Sequence, residues 1–236
     1  MESYTDFLNR INAFEKEEIY LGDNYFTVNP SLLAKVTKEG RFKDFYGDTV
    51  VFNLDSETKN KLSEITQLLH RNAPECFSEP LISDTFHLTL HDLSNSTELG
   101  CIAQDVFFNG LKAAQLFKKI KNQKIHMKTK YIFNMVNTST VLGLYPSDEK
   151  EYAKLMGLYC IFDNIKLLPY PFTPHITLAY FNPNGFDKSS ILKLKNTVYI
   201  LNKYNFEIEL DTQQLYYQKF TNMNRYINIT SLYNCP

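Results

Sequence analysis

The sequence predicts a mixed α+β fold in two related lobes, on three observations. Helix-spaced and strand-alternating apolar segments are interleaved along the chain. A short motif occurs twice, within "TFHLTLH" at 85–91 and "TPHITLAY" at 173–180. After each copy the same series follows: motif strand, turn, helix and a two-stranded hairpin. The halves are too dissimilar for an outright repeat, yet nothing between them reads as a flexible linker. One compact bilobal domain is expected.

The elements follow in order. Tyr4, Phe7, Leu8, Ile11 and Phe14 fall at helical spacing, which predicts an amphipathic helix over 3–16. A loop-rich stretch runs to about 47, with a short helix opened by Asn29 as N-cap and Pro30 as first residue. "DTVVFNL" (48–54) is β-branched and reads as a strand. Ser56 is the expected cap of a helix whose Leu62, Ile65, Leu68 and Leu69 share a face until Pro74. The first motif strand, 85–91, is followed by a helix over 97–120. A hairpin is then expected across Asn137-Thr138, and a helix capped near Ser147 that runs to about 164. The second motif strand starts at Pro174, and "NPNG" (182–185) closes it as a turn. A helix to about 205 and three strands, "FEIELD", "QLYYQKF" and "RYINIT", complete the chain. Residues 1–47 thus read as an N-terminal helix and lead-in, and 48–236 as the bilobal domain.

Composition narrows the function. The 236 residues are 44% hydrophobic and 22% charged, enough to bury a sizeable core. A net charge of −1 provides no basic field for long duplex DNA or an anionic membrane. A small substrate or the end of a nucleic acid fits better. No run approaches the ~18 apolar residues of a membrane span. "MESYTDFLNR" has no signal-peptide character, so a cytoplasmic protein is expected. Cys76, Cys101, Cys160 and Cys235 stand apart without metal-like spacing and are expected as reduced thiols. Gly40 and Gly47 read as turn glycines.

The motifs carry the chemistry. Residues i and i+2 of a strand share a face, so His87 projects with Thr89, and His175 with Thr177. If the lobes face one another about a pseudo-twofold axis, two imidazoles and two hydroxyls converge across a cleft with no carboxylate among them. That set suits phosphodiester chemistry without a metal. With a pKa of about 6.5, one neutral imidazole can take a proton while the other, protonated, gives one to the departing oxygen. The hydroxyls can hold non-bridging phosphate oxygens. His91 extends the first motif on the same face. His87 and His91, four apart, suit ligation from a helix better than from a strand, and no metal or other cofactor is expected. His70 and His126 have no such partners and read as surface residues. Phe45 or Tyr46 could stack on a base near the cleft.

"FHLTLH" and "PHITLAY" resemble the paired H-x-[ST]-hydrophobic signatures of the two-histidine (2H) phosphoesterase superfamily, over roughly residues 48–230. "EGRFKDFYGDTVVFNL" (39–54) further resembles the lead-in of a bacterial branch of it. The resemblance implies two antiparallel sheets about a central cleft, helices outside, and His87, Thr89, His175 and Thr177 in the cleft as catalytic residues. It also implies a phosphate contact by Tyr180, which alternation would place on the opposite face. An arginine that often follows the second motif in RNA-ligase-like members is absent from "AYFNPNG". The resemblance implies a metal-independent phosphodiesterase acting on a cyclic nucleotide, an RNA end or a similar phosphodiester. The alternative is a module that binds nucleotides or RNA ends without turnover.

Overall fold

A computed structural model describes residues 2–14 and 19–232. The first helix, α1 (Tyr4–Phe14), sets the buried Phe7 and Ile11 on one face. Its Phe7 ring lies 4.9 Å from that of Tyr152. The last two residues expected of this helix, 15 and 16, lie outside the described residues. The lead-in holds β1 (Tyr25–Phe26) and a 3-10 turn over Pro30–Ala34, whose cap Asn29 accepts from the Ser31 N–H as its sequence position predicts. Then come β2 (Tyr46–Asn53), α2 (Ser56–Asn72), β3 (His87–Ser96) and α3 (Leu99–Phe117). The hairpin β4 (Lys124–Met135) and β5 (Ser139–Pro146) precedes α4 (Glu149–Phe162) and β6 (His175–Tyr180). The chain ends with β7 (Phe186–Asp187), α5 (Lys188–Leu201), β8 (Glu207–Asp211), β9 (Leu215–Asn222) and β10 (Arg225–Ser231).

Local chemistry moves several expected boundaries. The α2 cap is Asp55, not Ser56: its carboxylate accepts from both the N–H and the hydroxyl of Thr58, each at 2.8 Å. Asp148 caps α4 by accepting from the Glu151 N–H at 2.9 Å. The β4–β5 turn centres one residue earlier than expected. Val136 and Asn137 both take positive φ (44° and 60°), and the Thr138 N–H closes the turn on the Met135 carbonyl. Gly47 lies inside β2 and not in a turn. A Cβ there would stand 2.3 Å from the Phe220 ring, so only glycine lets that ring pack on the strand.

The described strands form antiparallel sheets, a β1–β7 ribbon and an eight-stranded sheet in the order β10-β9-β2-β3-β6-β5-β4-β8. The large sheet is two four-stranded halves, each with its motif strand innermost. They join where Leu88 of β3 pairs with Ile176 of β6. The fold is α+β, as the alternating patterns predict. Cys76, Cys101 and Cys160 are free thiols, and Cys235 lies outside the described residues. His126 is exposed, but His70 is half-buried against the Phe77 ring, 5.1 Å away, and burial lowers its pKa. No described helix is long and apolar enough to cross a membrane.

One buried carboxylate ties the first half together. Asp48, 1% exposed, accepts from the Ser94 N–H at 2.8 Å, the Asn109 amide at 3.0 Å and the Tyr217 hydroxyl at 2.9 Å. These donors come from β3, α3 and β9, so a β2 side chain fixes three elements. Asp48→Ala would leave the buried Ser94 N–H without an acceptor, while Asn109 keeps the Ser94 hydroxyl and Tyr217 the Val106 carbonyl. We expect a loss of about 1–3 kcal/mol in urea unfolding, with a smaller loss for Asp48→Asn, whose amide oxygen still accepts.

Candidate active site

The joint between the halves lies at the base of a cavity of about 580 Å³. Antiparallel pairing of Leu88 with Ile176, projected one residue each way, sets His87 across from Thr177 and Thr89 across from His175. All four side chains line the cavity, while Leu88 and Ile176 are fully buried on the other face. The two HxT pairs are therefore together, each histidine beside the threonine of the other strand.

Each imidazole is held the same way. His87 Nδ1 lies 2.6 Å from the Thr85 carbonyl, and His175 Nδ1 2.8 Å from that of Thr173. A carbonyl only accepts, so each Nδ1 carries the hydrogen and each Nε2 keeps its lone pair for the cavity. Among the described residues neither Thr89 nor Thr177 spends its hydroxyl on another protein group. Burial pushes the His87 pKa down to about 4, and burial also lowers that of His175. The same linkage acts on stability. The unfolded imidazole protonates near ~6.5 and the folded one does not, so stability is greatest above that value and falls as pH drops toward about 4.

Beyond the HxT pairs, strand alternation fails in both motif strands, and for one reason. In β3, Val51 pairs with Thr89 and Val50 with His91, leaving Leu90 as an extra bulged residue. In β6, Val141 pairs with Thr177 and Thr140 with Ala179, leaving Leu178 in the same position. Each bulge exchanges the faces that follow. His91 is thereby turned away from the cavity into the interior, 1% exposed, correcting its expected place beside His87. Its Nε2 meets Asp163 Oδ1 at 3.1 Å, its Nδ1 donates to the Asp92 carbonyl, and its ring packs on Tyr159. By the same rule Tyr180, five residues after His175, is brought to the cavity. Its counterpart five residues after His87 is Asp92, which also lines the cavity.

Asp92 is thus a carboxylate in a site where none was expected. Laying "HLTLHD" over "HITLAY" would have shown the equivalence. Its charge raises both imidazole pKa values against the effect of burial, and the Tyr170 hydroxyl donates to it at 3.1 Å. Tyr46 points elsewhere: Phe45 lines the cavity, and alternation turns the next side chain out, where its hydroxyl reaches Asp44 at 3.1 Å. Sequence reasoning also missed Lys35 and Tyr226. The Tyr226 ring meets His87 edge-on at 5.0 Å, and the Tyr180 hydroxyl points to the Met223 sulfur at 3.0 Å. Burial raises the Tyr226 and Tyr170 pKa values and brings Tyr159 to about 12, so these wall tyrosines remain neutral donors. Among the described residues no three His, Cys, Asp or Glu side chains are grouped as a metal centre would need.

No protein-family model matches the sequence, and no curated protein is significantly similar to it. Solved structures are similar. A conserved protein of unknown function from Agrobacterium tumefaciens, ATU0111, superposes at a TM-score of 0.64 with 13% identity, over 84% of this chain and 90% of that one. The fold is shared. E. coli LigT, solved with 3′-AMP, gives a TM-score of 0.47 at 16% identity over 79% of this chain and 97% of LigT. TT0787 of Thermus thermophilus gives 0.45 at 15% over 78% and 97%. At such identities the likeness concerns the fold, and the reading of the site rests on its own geometry.

Asp92→Asn removes the negative charge that supports both protonated imidazoles. Both histidine pKa values should fall further in the variant, as read from imidazole chemical shifts against pH without any substrate. Unmoved titrations would show that Asp92 does not act on the pair.

Proposed function

We propose that the protein is a metal-independent phosphodiesterase acting on a cyclic phosphate or a small nucleotide phosphodiester. The observation that carries this reading is the pair of Nδ1-anchored imidazoles in one cavity, each beside an uncommitted threonine hydroxyl. On a 2′,3′-cyclic phosphate, one neutral Nε2 takes a proton from water as its oxygen bonds to phosphorus. The bond from phosphorus to one ribose oxygen breaks, and the other histidine, protonated, gives that oxygen its proton. The product is a phosphomonoester with one freed hydroxyl, and the protons balance. Thr89 and Thr177 donate to the non-bridging oxygens as charge builds there. Tyr180 completes the phosphate pocket from the second strand.

Because both imidazoles are biased toward the neutral form, the acid must be loaded against that bias. A bound phosphate anion, with Asp92 nearby, raises the imidazole pKa and does so. In the free enzyme the limbs are set by burial. The bell in kcat/KM should therefore lie to the acid side of about 6.5, not astride it.

A panel of cyclic phosphates and short oligonucleotides, assayed with EDTA, tests the activity. His87→Ala and His175→Ala should each lower turnover by about 10²-fold or more, and the double variant by much less than the product of the two. Thr89→Val and Thr177→Val should be milder, equivalent to about 1.5–3 kcal/mol each. Near wild-type turnover in either histidine variant would overturn the mechanism. So would a rate abolished by EDTA and restored by a divalent ion. Nucleotide binding without turnover of any panel member would leave the binding-module reading in its place.

A further inference from the structure

We infer that the lead-in supplies the site with its phosphate-binding cation: Lys35 takes the negative charge of the substrate. This rests on the phosphoesterase reading and extends the site to a segment with no motif. Among the described residues lining the cavity, Lys35 is the one lysine or arginine. Its ammonium nitrogen lies 5.4 Å from the Phe45 ring centroid and 5.5 Å from that of Tyr180, and both rings are cavity wall. Among the described residues it has no carboxylate and no hydrogen-bond acceptor.

The position is built. The Lys35 N–H donates to the Leu32 carbonyl at 2.9 Å, and its own carbonyl accepts from the Lys43 N–H at 3.1 Å. Val36 and Phe42 form an isolated antiparallel bridge, and the Phe42 ring meets Tyr180 edge-on at 5.6 Å. Backbone hydrogen bonds therefore aim the side chain, and two aromatic faces hold its charge by their quadrupoles. An ammonium group held between two aromatic rings in a partly desolvated cavity is stabilised most by an anion that enters beside it. Lys35 and His175 line the same cavity, and the lysine charge helps to lower the His175 pKa. Asp92 lies at the equivalent of Tyr180 in the other half, which gives the cavity a cationic and an anionic side. The ligand class that fits is a nucleotide with its phosphate toward Lys35 and its hydrogen-bond-donating sugar or base toward Asp92.

Calorimetric titration of the 236-residue chain with adenosine 2′- and 3′-monophosphate, and with adenosine, tests this without turnover. Wild type should bind at least one monophosphate more tightly than adenosine. Lys35→Met should weaken that binding about 10-fold or more and leave adenosine unchanged, while Lys35→Arg should stay close to wild type. An unaltered thermal midpoint without ligand excludes misfolding as the cause. Equal monophosphate affinity in wild type and Lys35→Met would overturn the role of Lys35. A wild type that does not prefer a monophosphate to adenosine would overturn it together with the proposed function. Preference for monophosphate without turnover of any phosphodiester would overturn the chemistry alone and leave Lys35 as the anion site.

Discussion

The two halves of the large sheet are joined through the backbone pairing of Leu88 with Ile176. Its register decides whether a site exists. A shift of one residue on either strand would send that strand's imidazole and hydroxyl to the opposite face and bring its leucine or isoleucine into the cavity. The register is held from the far side, where Leu88, Ile176 and Leu178 are wholly buried in the common core. Hydrophobic burial on one face thus fixes polar geometry on the other. The anchors at Thr85 and Thr173 then set ring orientation, because a carbonyl two residues upstream can receive only Nδ1–H.

The bulges at Leu90 and Leu178 add a second constraint. A strand of strict alternation could offer the cavity only every other residue. One extra residue after each HxT lets the strand present a third group, five positions after the histidine, while the leucine between fills core. The same device in both halves yields unlike products, Asp92 in one and Tyr180 in the other. The frame is pseudo-symmetric and the chemistry on it is not.

That distinction explains what could be read from the sequence. The HxT pairs were legible because period-two alternation is a local rule, and the duplication made an accident less credible. Helices and strands were legible from apolar spacing, with errors of a residue at caps such as Asp55, where two oxygens compete within one turn. His91 was misplaced because a bulge has no fixed sequence signature: "HLTLH" reads as unbroken alternation until Val50 and Val51 are known to oppose it. Tyr46 was misplaced because neighbours on a strand point oppositely, and only the fold tells which of Phe45 and Tyr46 faces in. Lys35 could not be found at all. It reaches the cavity through a 3-10 turn, a bridge between Val36 and Phe42 and the docking of Phe45 on Thr221, all of them long-range consequences of packing.

Acid–base catalysis by two histidines requires that they differ, since two imidazoles in identical surroundings would share their protonation states equally. The frame works against that difference: the same motif, the same upstream carbonyl and the same bulge surround each ring. The neighbours restore it. His87 meets the edge of Tyr226, a neutral ring that excludes water, and its pKa falls to about 4. His175 feels the Lys35 cation of the cavity wall in addition to its own burial. The lysine that lowers the His87 pKa is Lys59, which does not line the cavity. A phosphate anion drawn toward Lys35 would cancel that cation's effect on His175 while doing less to relieve the desolvation at His87. In the proposed reaction, substrate binding would then separate the two rings in protonation, and the asymmetry that mechanism needs would come from a lysine outside both motifs.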